Sequence, residues 1–163
     1  MFRLFIFILI SIQFGTYGFA NERVGAKSDR QEFRSLLTNL STNSQSQPLK
    51  CDEKQAQGGR VHVQYTLTLE SEPRYRDAFF IRFKTVDLSK DWSTLIAYEG
   101  FKGYVMGTLT KKQNRDRIEY QHLFRGFYED SLGLTVEHGK IFLLTYTKTG
   151  PAGVYFVLSC QLN

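Results

Sequence analysis

A strict alternation of apolar and polar residues over 61–70 limits, more than any other feature, what this chain can fold into. Successive side chains of a β-strand point to opposite faces, so a period of two predicts a strand with one buried and one solvated face. Similar strand candidates follow, separated by short segments rich in turn-forming residues. The candidates are 78–86, 94–98, 104–110, 117–124, 132–137, 140–147 and 153–162.

About eight short strands joined by short polar turns leave no room for the helices that connect parallel strands. The sequence therefore predicts an all-β fold, an antiparallel meander closed into a small barrel, with a β-sandwich as the alternative. In strand number and in its single expected disulfide the chain resembles the lipocalins. Their Gly-x-Trp motif near the first strand is absent, because Trp92 is the only tryptophan, and we assign the chain to no family.

The first 20 of the 163 residues have the features of a secretory signal peptide. Arg3 gives a cationic start, residues 4–12 are apolar, and small residues precede a cleavage point after Ala20. The apolar stretch is about half the length that crosses a bilayer, so we expect a secreted or periplasmic protein. The predicted organisation is a signal peptide at 1–20, a polar segment at 21–50 and a β-barrel-like domain at 51–163.

The polar segment contains one helical pattern and one stretch with the composition of a linker. Four apolar residues recur at the spacing of a single helix face, which predicts a short amphipathic helix over 29–40. A helix of that length is unstable alone, and we expect it to cover the outer face of the last two strands. The Ser-, Asn- and Gln-rich stretch at 41–48 predicts a linker. The four apolar residues are Phe33, Leu36, Leu37 and Leu40.

Export to an oxidising compartment has two covalent consequences. Two cysteines in an exported chain predict one disulfide, here between Cys51 and Cys160 near the two ends of the domain. Asn39-Leu40-Ser41 is a glycosylation sequon, which matters only if the source is eukaryotic.

No catalytic signature is present in the sequence. It has no nucleophile elbow, no zinc-protease motif and no glycine-rich phosphate loop. His62, His122 and His138 lie on separate elements without metal-ligand spacing, so we expect no metal and no cofactor. His122 shares a strand face with Tyr120, where it could line a ligand pocket or transfer protons; the simpler expectation is a core histidine with one hydrogen bond.

A short internal repeat, together with the counting of turns, predicts one rim for a binding site. Residues 98–107 and 124–133 repeat the same aromatic and glycine pattern at strand ends. If consecutive strands form hairpins, alternate turns emerge at the same end of the barrel, so Lys90 and Trp92 should lie at the opposite, basic end. The candidate binding residues are Arg74, Tyr75, Arg76, Phe101, Phe127 and Tyr128 at the rim, with His122 and Tyr120 inside.

These features favour an exported, non-enzymatic binding module. It would hold a small apolar ligand in the barrel mouth or a partner protein at a loop rim. The alternative is an exported hydrolase inhibitor that acts through the loop at 125–131. The net charge of +5, which falls to +4 when Arg3 is removed with the signal peptide, is modest for nucleic-acid binding. Basic turns could contact a membrane surface, and we expect a monomer that does not span the membrane.

Overall fold

The computed structural model describes residues 21–55, 58–75, 77–98, 107–125, 129–151 and 153–162. The predicted signal peptide lies outside these residues. The described part of the chain forms one helix and ten strands. They are β1 (Asn21–Val24), α1 (Lys27–Ser46), β2 (Leu49–Gln55), β3 (Arg60–Ser71), β4 (Phe79–Thr85), β5 (Asp91–Ile96), β6 (Thr108–Asn114), β7 (Arg117–Arg125), β8 (Glu129–Glu137), β9 (Lys140–Gly150) and β10 (Gly153–Gln161).

All ten strands belong to one antiparallel sheet in the order β1-β6-β7-β8-β9-β10-β2-β3-β4-β5. This confirms the all-β antiparallel meander and replaces the sandwich alternative with a single curled sheet. The strand number is ten rather than about eight. The two additional strands are β1, which lies within the segment predicted to be polar, and β2, which begins at the end of that segment; in both, apolar and polar residues alternate too weakly to signal a strand.

The curled sheet is closed by side chains rather than by a ladder in the described part of the chain. Its two edge strands are β1 and β5. Tyr146, on the inner face of β9, donates a hydrogen bond to the Ser93 carbonyl of β5 at 3.2 Å. His122, on β7, places Nε2 3.4 Å from the Ala97 carbonyl just beyond β5. The sheet is therefore a half-barrel whose free β5 edge meets polar side chains, where the sequence predicted a closed barrel.

The connection from β5 to β6 breaks the alternation of turns that the sequence analysis assumed. Eight antiparallel pairings separate β6 from β5 around the sheet, so these two strands run in the same direction instead of forming a hairpin. In the ladder, the C-terminal ends of β2, β7 and β9 lie at one end of the sheet, whereas that of β3 lies at the other. The turn that carries Arg74 therefore does not share an end of the sheet with the β9–β10 turn, as alternate turns of a simple meander would.

Helix α1 runs through the predicted linker and lies on the sheet in a different place from the one expected. It extends to Ser46, and its buried stripe contacts β3 and the inner-face residue Tyr120, whose ring centroid is 5.7 Å from that of Phe33. The helix does not cover the outer face of the last two strands, where Phe142 is 44% exposed. The buried stripe is Asp29, Phe33, Leu37, Leu40 and Ser44.

Hydrogen bonds to β3 explain why a serine-rich sequence continues the helix. Leu67 lies beyond the end of β2, so its backbone groups have no strand partner on that side. The Leu67 carbonyl accepts hydrogen bonds from Ser41 and Gln45, both at 2.9 Å. The Leu67 N–H donates to the Ser44 hydroxyl at 2.9 Å. The polar residues that suggested a linker thus dock the last turns of the helix.

Aromatic rings fill the interior between opposite strands. Phe83 on β4 stacks on Tyr146 of β9 with centroids 5.5 Å apart, and Tyr65 meets Phe83 edge-on. Tyr146 also contacts Phe156 of β10 at 5.8 Å. The side chains of Tyr65 and Phe83 therefore contact other rings in the interior.

The predicted disulfide is confirmed. Cys51 on β2 and Cys160 on β10 are directly opposite in the ladder and are bonded to each other, with Cα atoms 4.0 Å apart. The bond joins residues 109 apart in sequence and covalently ties the first long strand of the sheet to the last. A structural disulfide of this kind is typical of proteins in oxidising compartments.

Candidate binding surface at one end of the sheet

Exposed apolar side chains gather at the end of the sheet that carries the turns after β2, β4 and β9. Of the six large hydrophobic residues that are exposed in the described part of the chain, five lie there and the sixth is Phe142. We call this set the apolar end. Its members are Val61, Val86, Leu88, Val154 and Tyr155, with exposed fractions of 51%, 51%, 76%, 55% and 50%.

Two contacts bring these turns together. The Trp92 ring at the start of β5 lies edge-on to Tyr155, with centroids 6.3 Å apart, and stacks on Phe156 at 4.2 Å. Lys90, in the turn before β5, places Nζ 2.9 Å from Glu53 Oε1 on β2. Glu53 is paired with Val61 in the β2–β3 ladder. The turns that carry the apolar end are therefore linked to one another by these contacts.

A buried carboxylate forms the polar floor of this region. The Glu53 side chain is 0% exposed and accepts hydrogen bonds from Tyr65 at 2.5 Å, Gln55 at 2.6 Å and Lys90. Burial alone would raise the pKa of Glu53, but these hydrogen bonds and the Lys90 charge outweigh it and leave the pKa below its usual value. Burial and the neighbouring carboxylate raise the pKa of Tyr65. The cluster thus holds an ionised carboxylate beneath an apolar rim.

Leu88 has the backbone conformation that is least expected at this end. It is 76% exposed and has a φ of 59°. The left-handed region is unfavourable for residues other than Gly, Asn and Asp because Cβ approaches the following carbonyl oxygen. Backbone conformations of this kind occur often at functional sites. Leucine is therefore unexpected at this position for two reasons, because the side chain is exposed to solvent and the backbone is in the left-handed region.

The predicted rim residues are distributed differently. Arg74 lies in the turn after β3, at the opposite end of the ladder, and is paired with Glu72 at 2.7 Å. Its guanidinium group also lies 5.9 Å from the centre of the Tyr75 ring. The residues Arg76, Phe101, Phe127 and Tyr128 lie outside the described part of the chain. Trp92, which was expected at the basic end, instead contacts the β9–β10 end through Tyr155.

The two predicted interior residues are both buried. His122 is 0% exposed, and Tyr120 is 1% exposed. Burial lowers the pKa of His122 to about 4, although the hydrogen bond to Ala97 opposes the shift. An acid–base histidine would need access to solvent and a carboxylate partner, whereas His122 contacts a backbone carbonyl and, edge-on, the Tyr98 ring at 5.5 Å. His122 therefore links β7 to the residue just beyond the β5 edge of the sheet.

Gly107 allows the chain to pass close to His122. A Cβ atom at this position would lie 2.2 Å from His122 Nε2 and 2.3 Å from the Ala97 carbonyl oxygen. Both distances are far below van der Waals contact, so any other residue would separate the beginning of β6 from the end of β5. Gly107, just before β6, therefore permits a close approach that turn counting could not reveal.

The apolar end was missed by sequence reasoning for identifiable reasons. Val61 belongs to the apolar face of an alternating strand, so its pattern predicts burial. It is the second residue of β3, at the end of the sheet, and it is exposed there. Tyr155 falls where the β9–β10 register shifts between Val154 and Phe156, and such a bulge breaks alternation. The one available signal was an apolar residue, Leu88, within a polar turn.

No set of three or more His, Cys, Asp or Glu side chains in the described segments is arranged to hold a metal ion. Within the same segments, no helix combines the length and the hydropathy required to cross a bilayer.

Comparison with known proteins adds little to this geometry. No family model matches the chain, and no curated protein matches its sequence. Among solved structures, a redesigned β-barrel, mFAP1, bound to DFHBI, aligns with 71% of this chain and 92% of its own, at 11% identity and a TM-score of 0.28. A TM-score this low supports no argument about the fold or the function of the chain.

Proposed function

We propose that this chain is an exported, non-enzymatic binding module that engages a partner protein through the apolar end. The observation that carries the proposal is the convergence of Leu88, Val61 and Tyr155 on one end of the sheet, each at least half exposed. Large exposed apolar patches on soluble domains are typical of interaction surfaces.

The packing of the interior favours a partner at the rim over a small ligand inside the barrel. The inward rings of Tyr65, Phe83 and Tyr146 contact one another, and Phe33 of the helix reaches Tyr120. A small apolar ligand would have to displace these contacts. At the apolar end, by contrast, side chains are already exposed and no internal contact must be broken.

The surroundings of the apolar end resemble the arrangement of protein–protein interfaces, in which an apolar centre is surrounded by charged residues. Lys54, Arg60, Asp87 and Asp91 are exposed and flank the three turns. Tyr and Trp contribute more binding energy than most residues when they are buried in an interface, and Tyr155 contacts Trp92. We therefore expect Leu88 and Tyr155 to dominate the affinity.

The experiment compares wild type with a Leu88→Ser/Tyr155→Ser double variant and with Phe142→Ser. Phe142 is a matched control because it is an exposed aromatic residue outside the apolar end. A partner recovered from the exported proteins of the source is purified and titrated against all three by calorimetry. We expect the double variant to weaken binding at least tenfold and Phe142→Ser to change it less than twofold.

Three outcomes would contradict the proposal. The first is equal affinity of the double variant and wild type. The second is binding of wild type to lipid vesicles, with loss in the double variant, which would make a membrane the occupant. The third is turnover of the partner on incubation, which would make the chain an enzyme. Circular dichroism of each variant shows whether it is folded.

A further inference from the structure

A groove of about 530 Å³ crosses the outer face of β10, β2 and β3, the side of the sheet opposite the core. Six polar side chains surround it, and the disulfide residue Cys51 contributes to its floor. None of the proposed partner-binding residues lines this groove, so it is a separate site. The polar residues are Lys50, Asp52, His62, Gln64, Ser159 and Gln161.

The ladder registers place three of these residues in one row. Ser159 is paired with Asp52, and Asp52 is paired with His62. The Asp52 carboxylate contacts His62 Nδ1 at 2.5 Å and the cationic Arg60 at 3.7 Å, so both of its charged or polar neighbours on β3 are its own partners. The carboxylate lies between Ser159 and His62, and this order does not form a nucleophile–base–acid relay. The row is suited to binding and not to hydrolysis.

Lys50 gives the groove its charge preference. Among the described residues, its ammonium group has no ion-pair partner, unlike Asp52 in the next outward position of β2. Gln64 and Gln161 flank it on the neighbouring strands and, with Ser159, have side chains without a hydrogen-bond partner in the same part of the chain. The groove therefore offers one uncompensated positive charge among neutral donors and acceptors.

The position of the groove within the sheet limits the class of ligand. Over the groove residues, β2 is paired with both β10 and β3, and β10 is also paired with β9, so the backbone groups of these two strands are used by the ladders. The β3 residues of the groove are paired on the β2 side only, because the β3–β4 ladder begins at Tyr65. A peptide strand could not be added to β2 or β10 as it can at a sheet edge. The ligand must bind through side-chain hydrogen bonds and one charge, which suits a molecule rich in hydroxyl groups that also carries an anionic group.

We propose that this groove binds an acidic saccharide, with a sugar carboxylate on Lys50 and sugar hydroxyls on Gln64, Ser159 and Gln161. The amides and the hydroxyl can both donate and accept hydrogen bonds, as sugar hydroxyls do. The ammonium group selects acidic over neutral sugars through a charge-assisted hydrogen bond.

The test uses a galacturonic acid hexamer as the probe and a neutral galactose hexamer as its control, with binding followed by chemical-shift changes of backbone amides. We expect the acidic hexamer alone to shift residues 50–52, 62–64 and 159–161. Lys50→Gln should weaken binding at least fivefold. Lys54→Gln should change it less than twofold, because Lys54 is also exposed on β2 but does not line the groove.

Each other outcome overturns the proposal. Equal binding of the two hexamers would remove the role of Lys50, and equal losses for the two lysine variants would indicate general charge attraction. Shifts confined to other strands would place the site elsewhere, and absence of binding by wild type would exclude an acidic saccharide of this class. The Gln64→Ala/Gln161→Ala variant retains Lys50 and should still lose at least fivefold if the neutral side chains bind sugar hydroxyls.

Discussion

Lys90 Nζ lies 2.9 Å from Glu53 Oε1, so the exposed turn before β5 is tied to a carboxylate that has no exposed surface. The same turn carries Val86 and Leu88, two residues of the apolar end. The ion pair therefore connects the turn of the proposed binding surface with the interior of the half-barrel.

We expect Lys90→Met to reduce the free energy of unfolding by about 1–2 kcal/mol, because Glu53 keeps its bonds to Tyr65 and Gln55 but loses a charged donor. Lys54→Met is the control, since Lys54 adjoins Glu53 but is exposed. Urea unfolding measures both. The pKa of folded Glu53 lies below that of the unfolded chain, so its stabilisation is present above about pH 4.3 and is lost as the pH falls. Equal stability of the two variants would contradict a structural role for the pair.

Leu88→Asn should stabilise the chain by about 1 kcal/mol. The residue has a φ of 59°, and asparagine adopts this conformation more readily than leucine. Val86→Asn serves as the control, because Val86 is exposed in the same turn but its φ is not positive. Thermal unfolding compares the three proteins. A lower midpoint for Leu88→Asn would mean that the leucine side chain contributes to folding, which would weaken the proposal that it is retained for binding.

Ser44→Ala should cost about 1–3 kcal/mol of unfolding free energy, because it leaves the buried Leu67 N–H without its partner. Ser46→Ala is matched to it, since the Ser46 hydroxyl bonds to the Asn43 carbonyl on the exposed side of the same helix turn. We expect the control to change stability by less than about 0.5 kcal/mol. Denaturant titration distinguishes the two, and similar values would show that the last turns of α1 do not depend on docking to β3.

Replacing both Cys51 and Cys160 with serine should destabilise the domain by about 2–5 kcal/mol, since the bond closes a long loop of the unfolded chain. Mass spectrometry of peptides from the unreduced protein should contain the 51–160 cross-link. Two thiols that react with an alkylating reagent in the folded protein would refute the pairing.

The sequence predicted the strands well where one face is buried and the other solvated. β3, β4 and β7 follow period-two alternation, and the matching cysteines identified the bond between β2 and β10. The prediction of a linker over 41–48 failed because tertiary contacts outweigh the local pattern there. Ser44 and Gln45 extend the helix by bonding to backbone groups of Leu67 that have no strand partner. The sequence also failed to predict the order of the turns, because β5 and β6 run in the same direction and Trp92 therefore lies beside Tyr155.

The last prediction concerns His122, whose burial lowers its pKa to about 4. An unfolded histidine has a pKa of about 6.5, so between these values the unfolded chain binds more protons than the folded one. Stability should therefore fall by up to about 3 kcal/mol as the pH decreases from about 6.5 to about 4. Glutamine can donate to the Ala97 carbonyl but does not titrate, so His122→Gln should remove most of this slope. His138→Asn, at an exposed turn residue, should leave it in place. Urea unfolding at pH 7, 5.5 and 4.5 gives the slopes, and an unchanged slope in His122→Gln would show that another group carries the pH dependence.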